Sequence, residues 1–229
     1  MHPFRKSILL TLILAVLCSL PMSDIRLCAQ DDILDHIVFF GDSTTAHLAS
    51  RGGIPSDRVW SGAGNTVLFE TVNRTKCVHL EEENTDLSLK DAVMLKKPEF
   101  LVITLGVSGG AGFLPKEAFV GIYREMLESV QEASPETKII VQSILPLSDK
   151  SVKHFQKLTR DAVLEANSWI SELCTEMNIP YVDTHSKLVD DNGYLRIIYQ
   201  NDEYMHLTRA AYTVVLDSIR EAVSSYFHL

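Results

Sequence analysis

A chain of 229 residues is long enough for one α/β domain with its own core. Hydrophobic residues make up 46% of the chain and charged residues 22%, which excludes a disordered protein. The net charge of −9 argues against nucleic acids and anionic membrane surfaces as partners. The eight histidines and four cysteines show no zinc-ligand spacing, so we predict neither a metal nor another cofactor.

The N-terminal segment has the layout of an export signal. Arg5 and Lys6 precede an apolar run over residues 8–20, which Pro21 ends and which is too short to span a bilayer. We predict a signal peptide over residues 1–29, with cleavage after Ala29, or else an uncleaved N-terminal anchor. Residues 30–229 then form a single domain that is secreted or otherwise extracytoplasmic, in the periplasm or at the cell surface.

Short apolar runs alternate with helical patterns along the rest of the chain. We predict buried strands over residues 37–40, 58–60, 100–105, 138–144 and 181–183. Apolar residues at three- and four-residue spacing predict helices over 119–130, 155–177 and 212–223, with a weaker helix over 87–95. Residues 67–85 fit an insertion or a hairpin, and residues 190–202 fit a long loop. This alternation indicates a doubly wound parallel sheet with helices on both faces.

Two cysteines, Cys77 and Cys174, fall within residues 30–229. Cys174 belongs to the apolar stripe of the helix predicted over residues 155–177, which favours a buried thiol. An exported protein could also join the two cysteines in a disulfide, so that alternative stays open.

Ligands of such sheets bind at the carboxyl ends of the strands. The segments at those ends are Gly41-Asp42-Ser43, Ser61-Gly62, Gly106-Val107-Ser108-Gly109 and Asp183-Thr184-His185. Ser43 stands between a strand and a helical turn, where it can act as a nucleophile near backbone N–H groups or simply cap the turn. The surrounding residues do not form the Gly-x-Ser-x-Gly elbow of α/β-hydrolases.

A nucleophilic serine needs a base, and His206 is the best placed histidine. It directly precedes the last helix and follows two carboxylates, Asp202 and Glu203. A carboxylate three or four residues earlier can hold the imidazole in one tautomer and stabilise its cation. His47, one turn beyond Ser43, and His79, His154 and His185 have no comparable pattern around them.

Taken in order, these motifs resemble the SGNH/GDSL hydrolases over essentially the whole chain after residue 29. The resemblance implies a flavodoxin-like three-layer α/β/α sandwich with a mainly five-stranded parallel sheet. It also implies ester hydrolysis through an acyl-serine intermediate without a metal. Ser43 matches the nucleophile and His206 the base. The acid falls on Glu203, with Asp202 as the fallback. The oxyanion donors are Ser43, Gly62 (with Gly64 as a nearby alternative) and Ser108.

Two positions depart from the family pattern. Ser108 stands where the family usually has an asparagine whose amide is the third oxyanion donor, and Glu203 stands where it usually has an aspartate. The Ser43–His206 pair is untouched by both changes, so the resemblance implies reduced or specialised activity.

The predicted function is therefore that of an exported serine esterase. Its substrates are O-acetyl groups on carbohydrate or another small acyl ester. Two alternatives remain open: an acyltransferase that uses a sugar hydroxyl as acceptor, and an impaired binding protein of the same fold. The expected partner is an ester substrate, with a membrane involved only through an uncleaved anchor.

Overall fold

The structure, a computed structural model, describes residues 32–228. The predicted export segment, residues 1–29, lies outside the described residues. The strands are β1 Ile37–Gly41, β2 Val59–Trp60, β3 Val78–Leu80, β4 Thr85–Leu87, β5 Phe100–Thr104, β6 Lys138–Gln142 and β7 Tyr181–Val182. The α-helices are α1 Ser43–His47, α2 Leu89–Lys96, α3 Lys116–Ala133, α4 Arg160–Glu176, α5 His185–Leu188 and α6 Arg209–Phe227. Within residues 32–228, no helix is both long and apolar enough to cross a membrane.

Five strands form one parallel sheet in the order β2-β1-β5-β6-β7. This is the 2-1-3-4-5 order of flavodoxin-like folds when the separate β3–β4 hairpin is left out. The predicted α/β class and five-stranded parallel sheet are confirmed. Every residue of β5 is buried, and so is nearly all of β1 and β6, because helices cover both faces.

Two apolar clusters hold the helices to the sheet, one on each face. The first contains Phe119, Tyr123 and Met126 of α3, which pack with the α4 residues Ile170 and Leu173. The second contains residues of α6 and the opposite-facing side chains of β1 and β5. Side chains repeat every 3.6 residues around a helix and alternate between the two faces of a strand. The apolar residues are therefore divided between two cores, one on each face of the sheet.

The structure differs from the prediction mainly at element ends and in the irregular segment. Helix α4 begins at Arg160 rather than at residue 155, because the Thr159 side chain accepts a hydrogen bond from the Ala162 N–H and caps the helix there. Residues 67–85 contain the 3₁₀-helix Phe69–Thr71 and most of the antiparallel hairpin β3–β4. The predicted 190–202 loop contains the 3₁₀-helix Ile197–Tyr199.

Cys77 and Cys174 are both free and buried. The prediction of a buried Cys174 thiol is confirmed, and the disulfide alternative is wrong. Burial raises the pKa of Cys174 to about 12, so the thiol stays protonated and packs as a small apolar group.

Candidate active site

Ser43 is the first residue of α1, directly beyond the carboxyl end of β1. The chain turns there at Gly41, where a β-carbon would lie only 2.2 Å from both the Thr104 carbonyl oxygen and the Thr45 hydroxyl. Only glycine fits between the neighbouring strand and the helix at that point. Gly41 therefore allows α1 to start close to the sheet edge, with Ser43 at its amino end.

Asp42 is the N-cap residue of α1. Its buried carboxylate accepts hydrogen bonds from the Thr44 N–H at 3.2 Å and the Thr44 hydroxyl at 2.9 Å. Burial raises the pKa of Asp42, while hydrogen bonds from Thr44 and from the backbone of Ser108 act against that rise. The same carboxylate thus joins the Ser43 turn to the loop that follows β5.

Ser43 and His206 meet across the carboxyl edge of the sheet. Ser43 Oγ lies 3.0 Å from His206 Nε2, which is within hydrogen-bond distance. His206 lies just before α6, and Thr208 caps that helix by accepting a hydrogen bond from the Ala211 N–H. The Tyr212 hydroxyl donates to the Thr44 carbonyl oxygen at 2.6 Å, which ties α6 to α1. The expected proximity of Ser43 and His206 is confirmed.

The carboxylate on the other side of His206 belongs to Asp202, not to Glu203. Asp202 Oδ2 contacts His206 Nδ1, while Oδ1 accepts from the Tyr204 N–H at 2.8 Å and the His206 N–H at 3.3 Å. The turn thus wraps around the Asp202 side chain and directs residue 203 outward.

Glu203 contacts other partners. Its carboxylate pairs with Lys150 at 3.1 Å and lies 3.7 Å from His154 Nε2, and its side chain is 52% exposed. The expectation that Glu203 contacts His206 is wrong, and the fallback residue, Asp202, occupies that place.

The charge of Asp202 fixes the tautomer of His206. Burial raises the pKa of Asp202, but hydrogen bonds from the Tyr204 N–H and from His206 outweigh it, so the pKa is lowered overall. An ionised carboxylate can only accept, which places the ring proton of neutral His206 on Nδ1 and leaves a lone pair on Nε2. Nε2 therefore faces Ser43 Oγ as a proton acceptor.

The three predicted oxyanion donors all lie at this edge of the sheet. The Ser43 N–H begins α1 and has no acceptor within the helix. Gly62 lies two residues beyond the carboxyl end of β2, which pairs in parallel with β1, whereas Gly64 lies in the exposed turn beyond. Ser108 follows β5 and is half-buried. Its carbonyl oxygen accepts from the Phe69 N–H at 2.8 Å, which holds the loop in place.

The family model for the GDSL-like lipase/acylhydrolases matches residues 39–214, which are most of the chain and include Ser43 and His206. The chain belongs to that family. The resemblance found in the sequence motifs is therefore confirmed, and with it membership of a family of ester hydrolases. No curated protein matches the sequence.

Several solved structures share the fold of this GDSL-family chain at low sequence identity. A GDSL-like lipase from Bacteroides thetaiotaomicron is 17% identical, with a TM-score of 0.54 over 82% of this chain and 87% of that one. A carbohydrate esterase of family 3 from Talaromyces cellulolyticus is 15% identical, with a TM-score of 0.53 over 82% and 96%. The periplasmic domain of a lipopolysaccharide acetyltransferase from Salmonella is 16% identical, with a TM-score of 0.51 over 82% and 83%.

Two residues near the site of this GDSL-family chain were not assigned to it from the sequence. The ring of His47 meets the His206 ring edge to face, with the centroids 4.8 Å apart. Arg51 Nη1 lies 3.2 Å from His47 Nδ1 and donates to it, and the same Nη1 donates to the Leu207 carbonyl oxygen at 3.3 Å. Burial and then the Arg51 charge lower the pKa of His47. A neutral histidine therefore lies against His206.

The sequence feature that could have indicated the contact between His47 and Arg51 is the four-residue spacing of residues 43, 47 and 51. Helix α1 continues directly into a π-helical turn, Leu48–Gly52, and that turn sets the position of Arg51. A helical period read from the sequence gives no indication of such a turn.

The other histidines lie apart from the Ser43–His206 contact. His185 is buried, with Nδ1 3.0 Å from the Ile144 carbonyl oxygen, and burial lowers its pKa. His154 packs against Tyr204. His79 pairs with Asp86 across the β3–β4 hairpin. Among residues 32–228, no group of three His, Cys, Asp or Glu side chains is arranged to hold a metal ion.

Proposed function

We propose that this protein is a serine esterase in which Ser43 is the nucleophile, His206 the general base and Asp202 the residue that orients the base. The observation that carries the proposal is the 3.0 Å contact between Ser43 Oγ and His206 Nε2, with Asp202 bound to the opposite ring nitrogen. Nucleophile, base and orienting acid follow one another within hydrogen-bond reach, as covalent ester hydrolysis requires.

The chemistry follows from the placement of the protons. His206 Nε2 accepts the Ser43 hydroxyl proton as Oγ bonds to the ester carbonyl carbon, and the carbonyl electrons move to the oxygen. The N–H groups of Ser43 and Gly62 stabilise that oxyanion, with Ser108 as a third donor. The carbonyl then re-forms, the C–O bond to the alcohol breaks, and His206 returns the proton to the leaving oxygen.

The second half of the reaction repeats these steps with water. The acyl group is now an ester of Ser43, and His206 Nε2 removes a proton from a water molecule that attacks the same carbon. Collapse of the second tetrahedral intermediate releases the carboxylic acid and returns the proton to Ser43 Oγ. Asp202 remains ionised throughout and stabilises the imidazolium form of His206 in both halves.

The proposed substrates are short acyl esters of carbohydrate. The net charge of −9 disfavours anionic substrates. The fold is shared with a carbohydrate esterase and with the periplasmic domain of a lipopolysaccharide acetyltransferase.

We further propose that the protein acts outside the cytoplasm. The support is the basic, then apolar, then Pro21-terminated pattern of residues 1–29. Cell fractionation and N-terminal sequencing of the purified protein test this. A mature chain beginning at Gln30, or a membrane-bound chain that keeps its N-terminus, fits export. An unprocessed chain in the cytoplasm contradicts it.

Turnover of p-nitrophenyl esters of increasing acyl length tests the enzymatic proposal. We expect the wild type to hydrolyse the acetate fastest and Ser43→Ala to show only the background rate. A methyl glycoside added as acceptor tests transfer, because an acyltransferase would form acylated sugar in place of free acid. A wild type no faster than Ser43→Ala on every ester would contradict the proposal and favour a binding protein.

A further inference from the structure

A cleft lies between α1 and the β3–β4 hairpin, next to the proposed catalytic residues. Its lining includes Ala46 of α1, Gly62, Ser56, His79 and Glu81. Ala46 is three residues beyond Ser43 and therefore lies on the same face of α1, one helical turn away. Gly62 is a proposed oxyanion donor, so the cleft opens beside the position of the reacting carbonyl.

Two hydrogen bonds hold the β3–β4 hairpin against the segments on either side of β2. The His79 N–H donates to the Ser61 carbonyl oxygen at 3.0 Å, one residue before Gly62. The Ser56 hydroxyl donates to Glu81 Oε2 at 3.0 Å and fixes the far end of β3 to the segment before β2. Because of these two bonds, the His79 side chain has a defined position relative to Gly62.

His79 is oriented by a carboxylate of its own. Nδ1 of His79 lies 2.8 Å from Asp86 Oδ1, and Asp86 is its cross-strand partner in the hairpin. The Asp86 carboxylate can only accept, so the proton of a singly protonated His79 ring lies on Nδ1 and the lone pair on Nε2. The side chain of His79 is 30% exposed and that of Asp86 50% exposed, which leaves His79 accessible to a ligand.

The polar groups of this cleft favour a ligand rich in hydroxyl groups. His79 Nε2 and the carboxylate of Glu81 both accept hydrogen bonds, and Asn65, which also lines the cleft, can donate or accept. Glu81 and Asp86 disfavour an anionic ligand. The small residues Ala46 and Gly62 leave space for a ring. Sugar hydroxyls supply the donors that such acceptors need.

We propose that this hairpin cleft binds the sugar portion of the ester, and that His79, oriented by Asp86, accepts a hydrogen bond from a sugar hydroxyl. The inference rests on the proposed esterase function and specifies its alcohol side. His79 is then a specificity residue and takes no part in proton transfer at Ser43. Its loss should affect sugar esters and spare esters that lack hydroxyl groups.

The test compares two esters with the same acyl group. The wild type is first assayed on mono-O-acetylated methyl hexosides and xylosides, and the best of these is compared with p-nitrophenyl acetate. For His79→Phe we expect kcat/KM on the sugar acetate to fall about 3- to 10-fold, mainly through KM, because one hydrogen bond is lost. Turnover of p-nitrophenyl acetate should stay within about twofold of wild type. His79→Gln keeps an acceptor and should recover part of the loss.

His36→Phe is the matched control. His36 also pairs with a carboxylate, Glu99 at 3.3 Å, but it lies at the opposite, amino-terminal edge of the sheet. We expect His36→Phe to leave both esters unaffected, and circular dichroism checks that each variant is folded. Equal losses on both esters in His79→Phe, or no loss on either, would overturn the inference. So would a wild type that hydrolyses p-nitrophenyl acetate but none of the sugar acetates.

Saturation-transfer NMR with the free methyl glycosides separates this inference from the esterase proposal. A wild type inactive on every ester would contradict the esterase function alone. Glycoside binding that is present in the wild type and lost in His79→Phe would still support the cleft. Glycoside binding that is the same in both proteins would overturn it.

Discussion

Replacing Asp202 by asparagine tests how His206 is activated. In the wild type, Asp202 Oδ1 accepts from the N–H groups of Tyr204 and His206, and Oδ2 contacts His206 Nδ1. The asparagine carbonyl oxygen should keep the place of Oδ1, because both N–H groups require an acceptor there. The asparagine NH₂ group then faces Nδ1 and donates to it, which moves the ring proton to Nε2. In that tautomer His206 cannot take the proton of Ser43.

The expected loss is large because the wrong tautomer removes the base while leaving the site intact. An equivalent Asp-to-Asn change in a serine triad lowers kcat on the order of 10⁴-fold, or about 5.5 kcal/mol of barrier. We expect Asp202→Asn to lower kcat for p-nitrophenyl acetate by about that factor, with little change in KM.

Glu203→Gln is the matched control for Asp202→Asn, with the same chemical change one residue away. Glu203 pairs with Lys150 at the exposed surface, where an ion pair contributes little to stability. We expect its kcat to stay within about twofold of wild type. A large loss in Glu203→Gln together with a near-normal Asp202→Asn would show that Glu203, not Asp202, is the acid.

Three other substitutions test the supports of the site. Gly62→Ala would place a β-carbon 2.6 Å from the Thr66 carbonyl oxygen, so the loop must shift and the Gly62 N–H with it; we expect kcat to fall about 10²-fold in steady-state assays. Ser108→Ala removes the short third donor, and we expect a kcat loss of at most about 10²-fold at nearly constant KM. In Arg51→Gln, the pKa of His47 should rise because a neighbouring positive charge is gone. An NMR titration of the His47 ring checks this, with the midpoint expected at higher pH than in the wild type.

For each of these three substitutions, a different result would contradict the prediction. A Gly62→Ala enzyme with wild-type kcat would remove Gly62 from the oxyanion site. An unchanged Ser108→Ala enzyme would leave the N–H groups of Ser43 and Gly62 as the donors. If the His47 midpoint in Arg51→Gln stays in place or moves to lower pH, the Arg51 charge does not lower the pKa of His47.

The sheet and the contact between Ser43 and His206 could be predicted from the sequence because both depend on local patterns. Strands buried on both faces read as continuous apolar runs, as in residues 37–40 and 100–105. Parallel strands bring their carboxyl ends to one edge, so Ser43 after β1 and His206 before α6 were expected to meet there. Their 3.0 Å contact required no feature beyond that topology and one helix start.

The carboxylate that contacts His206 could not be predicted in the same way, because it depends on the path of a turn. Asp202 and Glu203 are adjacent, and both lie within reach of His206 in sequence. The choice is made by the backbone N–H groups of Tyr204 and His206, which bind the Asp202 side chain and direct Glu203 toward Lys150. A family spacing of three residues between acid and histidine therefore pointed to the wrong carboxylate.

The contacts around His47 and His79 were missed for a related reason. Arg51 reaches His47 and the Leu207 carbonyl oxygen from a π-helical turn, and His79 meets Asp86 only once the hairpin forms. Neither a π-helical turn nor a hairpin register over residues 78–87 leaves a periodic signal in the sequence. The segment was recognisable as an insertion or hairpin, but its side-chain pairing was not.

Fluorophosphonate labelling followed by peptide mass mapping tests whether Ser43 is the nucleophile. We expect one phosphonyl group on Ser43 in the wild type, with esterase activity lost as labelling proceeds. Ser43→Ala should not be labelled, and His206→Ala should be labelled much more slowly. Labelling at another residue, or a Ser43→Ala protein that still hydrolyses p-nitrophenyl acetate at the wild-type rate, would show that Ser43 is not the nucleophile.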